Sequence, residues 1–274
     1  MKTLVTKIEA LYNTLLAMKV VTFNDIVQKA TTNVNVPQNR EYINQKYVTK
    51  LTKNHKLQRI RKGLYLVLSP LEKTETHIPD KLLIAAKIKQ QYYLGYHTAL
   101  EYYGCAQSLW NEAYICIKPK NRFDPFKYKH LSFKPVFTND TTTEIHQSLY
   151  LNIAIKVSSK ERTLMECLTK IQYAGGWEET IKSLEGLGGV NKEKLLNLLS
   201  KQKSQMAIKR TGYVLELLKN RSQFYEHIED QTLAKIQELV TEPAQYLIYG
   251  ERGALHKKWK LYVPEGFEEK LRGI

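Results

Sequence analysis

The chain has 274 residues, with 42 Lys and Arg against 27 Asp and Glu, for a formal charge of +15. Its 43% apolar and 25% charged composition is that of a globular protein and excludes collagen-like, mucin-like and wholly disordered chains. The length suits one large domain or two ordinary ones, and the basic surplus points toward nucleic acid or an anionic membrane surface. That surplus is uneven: residues 1–71 hold twelve Lys and Arg against Glu9, Asp25 and Glu41 alone.

In chain order, Leu4, Ile8, Leu11, Leu15 and Met18 form one apolar stripe and predict an amphipathic helix. Thr22 reads as the cap of a short second helix with Phe23, Ile26, Val27 and Ala30 inward. A polar stretch, Thr31 to Gln38, follows. Asn39 is then placed to cap a third helix reaching about Asn54, with Ile43, Tyr47, Val48 and Leu51 apolar. Two β-prone runs, Leu57 to Arg61 and Leu64 to Leu68, flank Lys62-Gly63 and predict a hairpin.

Three short helices and a hairpin make the winged helix-turn-helix layout. An unrelated helical domain with a hairpin is the bland alternative. Charge separates the two: from Pro37 to Lys62 there are eight Lys and Arg against Glu41 alone, whereas a solvated face usually mixes signs. On a helical wheel, Ile43, Tyr47 and Leu51 face inward, and Tyr42, Gln45, Lys46, Thr49, Thr52 and Lys53 face out. Gln, Lys and Thr can read adenine, guanine and thymine edges in the major groove. Lys50, Lys53 and Lys56 suit phosphates, Arg40 is a further DNA-binding candidate, and Arg59, Arg61 and Lys62 on the wing suit the DNA backbone or minor groove. Contact is favoured for Gln45, Lys46, Arg59 and Arg61. For Tyr42 and Thr52 an ordinary exposed side chain fits at least as well.

Residues 72–80 are polar, contain Pro79 and read as a linker between a domain of residues 1–71 and one of residues 81–274. Beyond it, helices are expected from Asp80 to about Gln90 and from His97 to Tyr103. Strands are expected at Ala113 to Ile117, Leu131 to Val136 and Leu149 to Val157. The basic segment Lys118 to Phe123, with Lys127 and Lys129, reads as a solvated loop before a nucleic-acid contact. Ser159 is expected to cap a further helix, broken at Gly175-Gly176, with more helices at 177–186, 192–201 and 205–218. Short strands at Tyr246 to Tyr249 and Lys258 to Val263 and a terminal helix close the chain. The fold class is α+β: a winged helix-turn-helix domain followed by a mixed α/β domain.

Four segments carry a resemblance. They are Arg61-Lys62-Gly63-Leu64-Tyr65 at the wing, Thr98 to Gly104, Arg162-Thr163-Leu164-Met165-Glu166, and Lys209-Arg210-Thr211-Gly212-Tyr213-Val214-Leu215-Glu216. In this order and spacing, over residues 5 to 265, the chain resembles the AbiEi family of antitoxins, also described as transcriptional regulators of viral defence. It departs at Glu166, where the family more often has Asp, and only loosely matches at Gly250 to Trp259. The resemblance implies a winged-helix domain that represses its own operon at inverted repeats in double-stranded DNA. It also implies a C-terminal antitoxin domain that counteracts a nucleotidyltransferase toxin without a stable complex, the type IV arrangement. Lys209 and Arg210 are candidates for a functional basic face. Arg210, and Arg162 still more, are equally candidates for an internal bridge to a carboxylate.

Other classes are disfavoured. The longest apolar runs, such as Ala113 to Ile117, are too short to span a bilayer, and no signal-peptide core opens the chain, so a cytoplasmic protein is expected. Cys105, Cys116 and Cys167 read as buried free thiols. The histidines show no metal-binding pair, and His97 reads as a core or cap residue before a general base. Pro79-Asp80 and Glu268-Glu269-Lys270 supply nuclease letters only by chance, and Gly186 to Gly189 is not a phosphate loop. No enzyme activity, metal or cofactor is expected. A plain winged-helix regulator with a sensing or dimerisation domain, and an RNA-binding module, remain open alternatives.

Overall fold

The structure, a computed structural model, describes residues 6–73, 76–241 and 243–272. It divides into two compact units. The first holds the described residues up to Gln91 with Lys127–Leu131 and Ser148–Ile155, and the second holds the rest.

In the first unit, Thr6 caps α1 (Lys7–Leu16) by accepting from the Glu9 amide at 3.3 Å. A three-residue strand, β1 (Val20–Thr22), leads into α2 (Phe23–Val34). Thr22 and Asp25 form a reciprocal capping box at 3.1 and 2.8 Å, satisfying two amides that the helix leaves unpaired. α2 runs into the stretch expected to be loop because Val34 is buried, and it ends at Asn35 in the left-handed conformation. Asn39 caps the next helical segment, as its sequence position predicts. That segment is α3 (Arg40–Ile43), a π-helical turn (Asn44–Val48) and α4 (Thr49–Lys53). β2 (Leu57–Arg61) and β3 (Leu64–Val67) form the hairpin, with Gly63 at φ +79° in its turn, where a side chain would be strained.

β1 completes a sheet of order β1-β3-β2 that the sequence pattern did not reveal, since three residues are too few to show alternation. The apolar stripes of α1, α2 and the third helix meet in one core with Leu57, Tyr65 and Val67. Three helices with a three-stranded sheet are compatible with the winged layout. α5 (Lys81–Ala86), capped by Asp80, belongs to this unit too, and Lys87 at its end pairs with Asp25 at 3.2 Å. The division between units thus falls beyond residues 72–80, and residues 74 and 75 lie outside the described part.

The remaining elements are β4 (Tyr93–Leu94), α6 (Tyr96–Tyr102), β5 (Glu112–Ile117), β6 (Phe126–Tyr128), β7 (Leu131–Phe137), β8 (Ile145–Tyr150) and β9 (Ile153–Ser158). They continue with α7 (Lys160–Thr169), α8 (Gly176–Glu185), α9 (Lys192–Ser200), α10 (Gln205–Lys219) and α11 (Asp230–Glu238). β10 (Gln245–Tyr246), β11 (Gly253–His256), β12 (Leu261–Pro264) and α12 (Phe267–Arg272) close the chain. The large sheet has the order β6-β7-β5-β4-β9-β8. β5 runs parallel to β7 from Glu112↔Ser132 to Ile117↔Phe137, and antiparallel to β4. The fold is α+β.

Where one strand was expected from Leu149 to Val157 there are two. Leu151 and Asn152 take φ of 48° and 64°, the double left-handed turn of a tight hairpin. Among the described residues no helix is long and apolar enough to cross a membrane.

α10 crosses the core of the second unit with ten buried residues. Its Gly212 has no room for a side chain: a Cβ would lie 2.2 Å from Cζ3 of fully buried Trp259. Helix propensity alone would favour Ala there by about 1 kcal/mol, whereas overpacking costs about 1–3 kcal/mol. Gly212→Ala is therefore expected to destabilise the protein by about 2 kcal/mol, measured as a lower midpoint in urea. A gain in stability would show that Trp259 is free to move aside.

Candidate nucleic-acid interface

The helical segment from Arg40 to Lys53 buries Ile43, Tyr47, Val48 and Leu51 and exposes Arg40, Tyr42, Gln45, Lys46, Thr49, Lys50 and Lys53. The wheel placed these residues correctly, with one addition. Across the π turn Tyr47 and Val48 both reach the core. The Asn44 carbonyl accepts from both the Thr49 amide and, at 3.0 Å, the Thr49 hydroxyl, so that hydroxyl proton is already engaged. Gln45 donates to Glu41 at 3.2 Å, and the Lys46 ammonium lies 5.2 Å from the centre of the Tyr42 ring.

The candidates fall in separate places. Arg40, Arg59 and Lys62 line one depression of about 610 Å³ with Glu41, Phe23, Asn24, Asn44 and Gly63. Arg40 is oriented there by Asn24, to which it donates at 3.0 Å, and by the Phe23 ring beneath it at 4.8 Å. Tyr42 and Lys46 line a smaller hollow of about 350 Å³ with Thr6 and Pro37. Gln45, Thr49, Lys50 and Lys53 lie on the open helix surface. Arg61 is only partly exposed. Lys56, expected at a phosphate, instead pairs with Glu9 at 2.5 Å over the Tyr12 ring. Sequence reasoning passed over Asn24 and Asn44 because neither carries charge. Asn24, just inside the α2 cap, was the available signal.

The three candidates of the second unit are internal. Arg162 is 4% exposed. It donates to Glu166 Oε1 at 2.8 Å, to the Tyr93 hydroxyl at 2.7 Å, and to the Asp140 and Thr143 carbonyls at 2.8 and 2.5 Å. Arg162 is thus the internal carboxylate bridge that was expected as one alternative. Lys209 is fully buried and donates to the Pro243 carbonyl at 2.5 Å and Gln245 Oε1 at 3.1 Å, so it forms no basic face. Arg210 finds carbonyls in place of a carboxylate: Leu168 at 3.1 Å, ending α7, and Leu247 at 2.7 Å. Burial lowers its pKa.

His97 is buried, stacked on Trp110 at 4.1 Å, and set between Glu101 and Glu179 at 3.2 and 3.1 Å. Asp80 is a helix cap, and Glu268 accepts from the Tyr213 hydroxyl at 2.9 Å. All three cysteines are free and buried, and burial pushes the Cys105 thiol up to about 11 and those of Cys116 and Cys167 well above their ordinary value. Among the described residues no group of His, Cys, Asp or Glu is arranged to hold a metal ion.

The architecture is that of an α+β protein with a basic, helix-and-hairpin first unit. It is similar to the crystal structure of the RV2827C protein from Mycobacterium tuberculosis, with a TM-score of 0.64 at 18% identity over 97% of this chain and 94% of that one. At that identity the likeness shows a shared fold. No family model matches the chain, and no curated protein matches it.

Two expectations follow for the Arg162 centre. Arg162→Met leaves Glu166 buried without its cation and is expected to cost about 3–5 kcal/mol in urea unfolding. Asp140 offers a pH test. Burial raises its carboxyl, but the Thr142 and Thr143 amides and the Arg162 guanidinium outweigh this and hold it well below the usual range. A depressed carboxylate stabilises the fold above its unfolded pKa of about 4, and the effect fades as pH falls toward the folded value. The stability gap between the native protein and Asp140→Asn should therefore be larger at neutral pH than near pH 3; an unchanged gap would count against this ion pair.

Proposed function

We propose that the chain is a DNA-binding antitoxin of the type IV kind. Its first unit is a winged helix-turn-helix that represses its own operon at inverted repeats, and its second unit counteracts a nucleotidyltransferase toxin. The observation that carries the DNA-binding half is the set of exposed cations Arg40, Lys46, Lys50, Lys53, Arg59 and Lys62. None of them pairs with a carboxylate among the described residues. Like charges gathered on one small unit repel one another, and a polyanion relieves that repulsion while its own counterions are released. Gln45 and Lys46 on the helix supply groups that can read base edges. The antitoxin half is supported by the resemblance of the ordered segments in the second unit.

A plain regulator is the second reading. The burial of Arg162 and Lys209 and the internal hydrogen bonds of half-buried Arg210 favour it, because the segments that carry the resemblance then have structural work to do. The two differ in whether the full chain rescues growth when co-expressed with the toxin encoded beside it. Rescue supports the antitoxin, and its absence from a folded, expressed chain supports the regulator.

DNA binding is tested with the purified chain on its own upstream duplex and on an unrelated duplex of equal length, at two salt concentrations. Tighter binding to the upstream duplex that survives the higher salt is expected; equal, salt-sensitive binding to both would refute sequence reading. The variant Arg40→Ala, Arg59→Ala, Lys62→Ala should weaken binding to both duplexes and flatten the slope of log K against log salt by roughly 2–3. It should leave toxin rescue intact.

A further inference from the structure

The last three strands form a sheet of order β10-β12-β11. Tyr246 pairs with Tyr262, and Tyr262 pairs with Leu255, so the three form one row across it. Residues directly opposite one another share a face. The neighbouring row, through Leu261, turns into the core, where Leu261, Leu247 and Trp259 are fully buried. The tyrosine row therefore faces outward: Tyr246 is 47% and Leu255 46% exposed. The Tyr246 and Tyr262 rings lie 5.1 Å apart, tilted by 31°. Tyr249, just beyond β10, is almost wholly exposed.

Cations lie at both ends of the β11–β12 pair, with exposed Glu251 and Glu265 beside them. Between Arg252 and Lys260 there are four Lys and Arg and no acidic residue. Lys258 is held by Glu216 at 2.6 Å. Arg252, Lys257 and Lys260 are exposed and make no ion pair among the described residues.

We infer that this face binds single-stranded RNA, with bases stacked on Tyr246 and Tyr262 and phosphates held by Arg252, Lys257 and Lys260. Exposed aromatic rings beside cations suit unstacked bases, because every base has a π-face to offer. A duplex hides those faces. A protein interface would deplete lysine at such a centre. The hydroxyls of Tyr246, Tyr249 and Tyr262 make no hydrogen bond among the described residues, and a ribose 2′-OH supplies a partner that deoxyribose lacks. The inference is independent of the duplex-binding proposal, since it rests on other residues in the other unit.

The test is fluorescence anisotropy of the full chain with a labelled RNA of about 12 nucleotides, the length of an ordinary single-strand site, and with DNA of the same sequence. The RNA should bind more tightly than the DNA. Tyr246→Ala with Tyr262→Ala should weaken RNA binding about tenfold, while Tyr246→Phe with Tyr262→Phe keeps the stacking and narrows the gap between RNA and DNA. Lys257→Glu with Lys260→Glu, both exposed, should also weaken it and reduce its salt dependence. Duplex binding should be unchanged in each variant, so failure here is distinguishable from failure of the winged-helix reading. The inference is overturned by absent RNA binding, by equal or tighter binding of the DNA, or by a folded alanine variant that binds as the native protein does. A poly-glutamate peptide that binds as well as the RNA would also overturn it, marking an acidic protein partner instead.

Discussion

A guanidinium removed from water needs an acceptor for each of its N–H groups. Arg162 draws its acceptors from separate segments: Glu166 one turn along α7, Tyr93 on β4, and the loop carrying Asp140 and Thr143. These contacts set the position of α7 against the middle of the large sheet. The Tyr93 hydroxyl also donates to Glu166 at 2.5 Å, and the Tyr93 ring lies under the guanidinium at 4.4 Å. Among the described residues Glu166 Oε2 has no hydrogen-bond partner, and burial raises the Glu166 pKa despite the neighbouring arginine. The space around that oxygen depends on Gly95. A Cβ there would sit 3.1 Å from Oε2 and 2.9 Å from the Cys116 sulfur. A glycine before α6, a tyrosine on β4 and an arginine on α7 thus answer to one buried charge pair.

α10 repeats this logic with different partners. Lys209 reaches the segment entering β10, Arg210 satisfies the open carbonyls at the end of α7, and Gly212 admits Trp259. Glu216 then accepts from the Trp259 indole at 2.5 Å and pairs with Lys258. Four positions within eight residues tie the C-terminal sheet to the helical core. A segment rich in charge and placed at fixed spacing is easily taken for a functional surface; here its polar groups serve packing.

The first unit works in the opposite sense. Its few acidic groups are engaged internally: Glu9 with Lys56, Asp25 with the Thr22 amide and Lys87, and Glu41 with Gln45. What remains outward on the helix and hairpin is cationic apart from Glu41, which is exposed and lines the depression of Arg40, Arg59 and Lys62. Glu9 and Asp25 lie in ion pairs, so the unpaired cations of the helix and hairpin outnumber the carboxylates beside them. That makes a polyanion the natural complement of this face.

Local signals in the sequence carried the elements whose causes are local. Thr22, Asn39 and Ser159 cap helices where side-chain oxygens meet exposed amides, and Ile43, Tyr47 and Leu51 point inward at helical spacing. The π turn, the β1 strand and the Leu151-Asn152 hairpin escaped, since each is set by tertiary pairing and lacks a distinctive residue. The same holds for the candidate sites. Exposure of Arg59 and Lys62 followed from the hairpin's own pattern, but the fate of Lys209 and Arg210 did not. Their acceptors lie 34 and 42 residues away, at Pro243 and Leu168. A lysine on a helix is read as solvated because water is its usual partner. Only a fold that brings distant carbonyls together can replace that water, and no periodicity along α10 announces it.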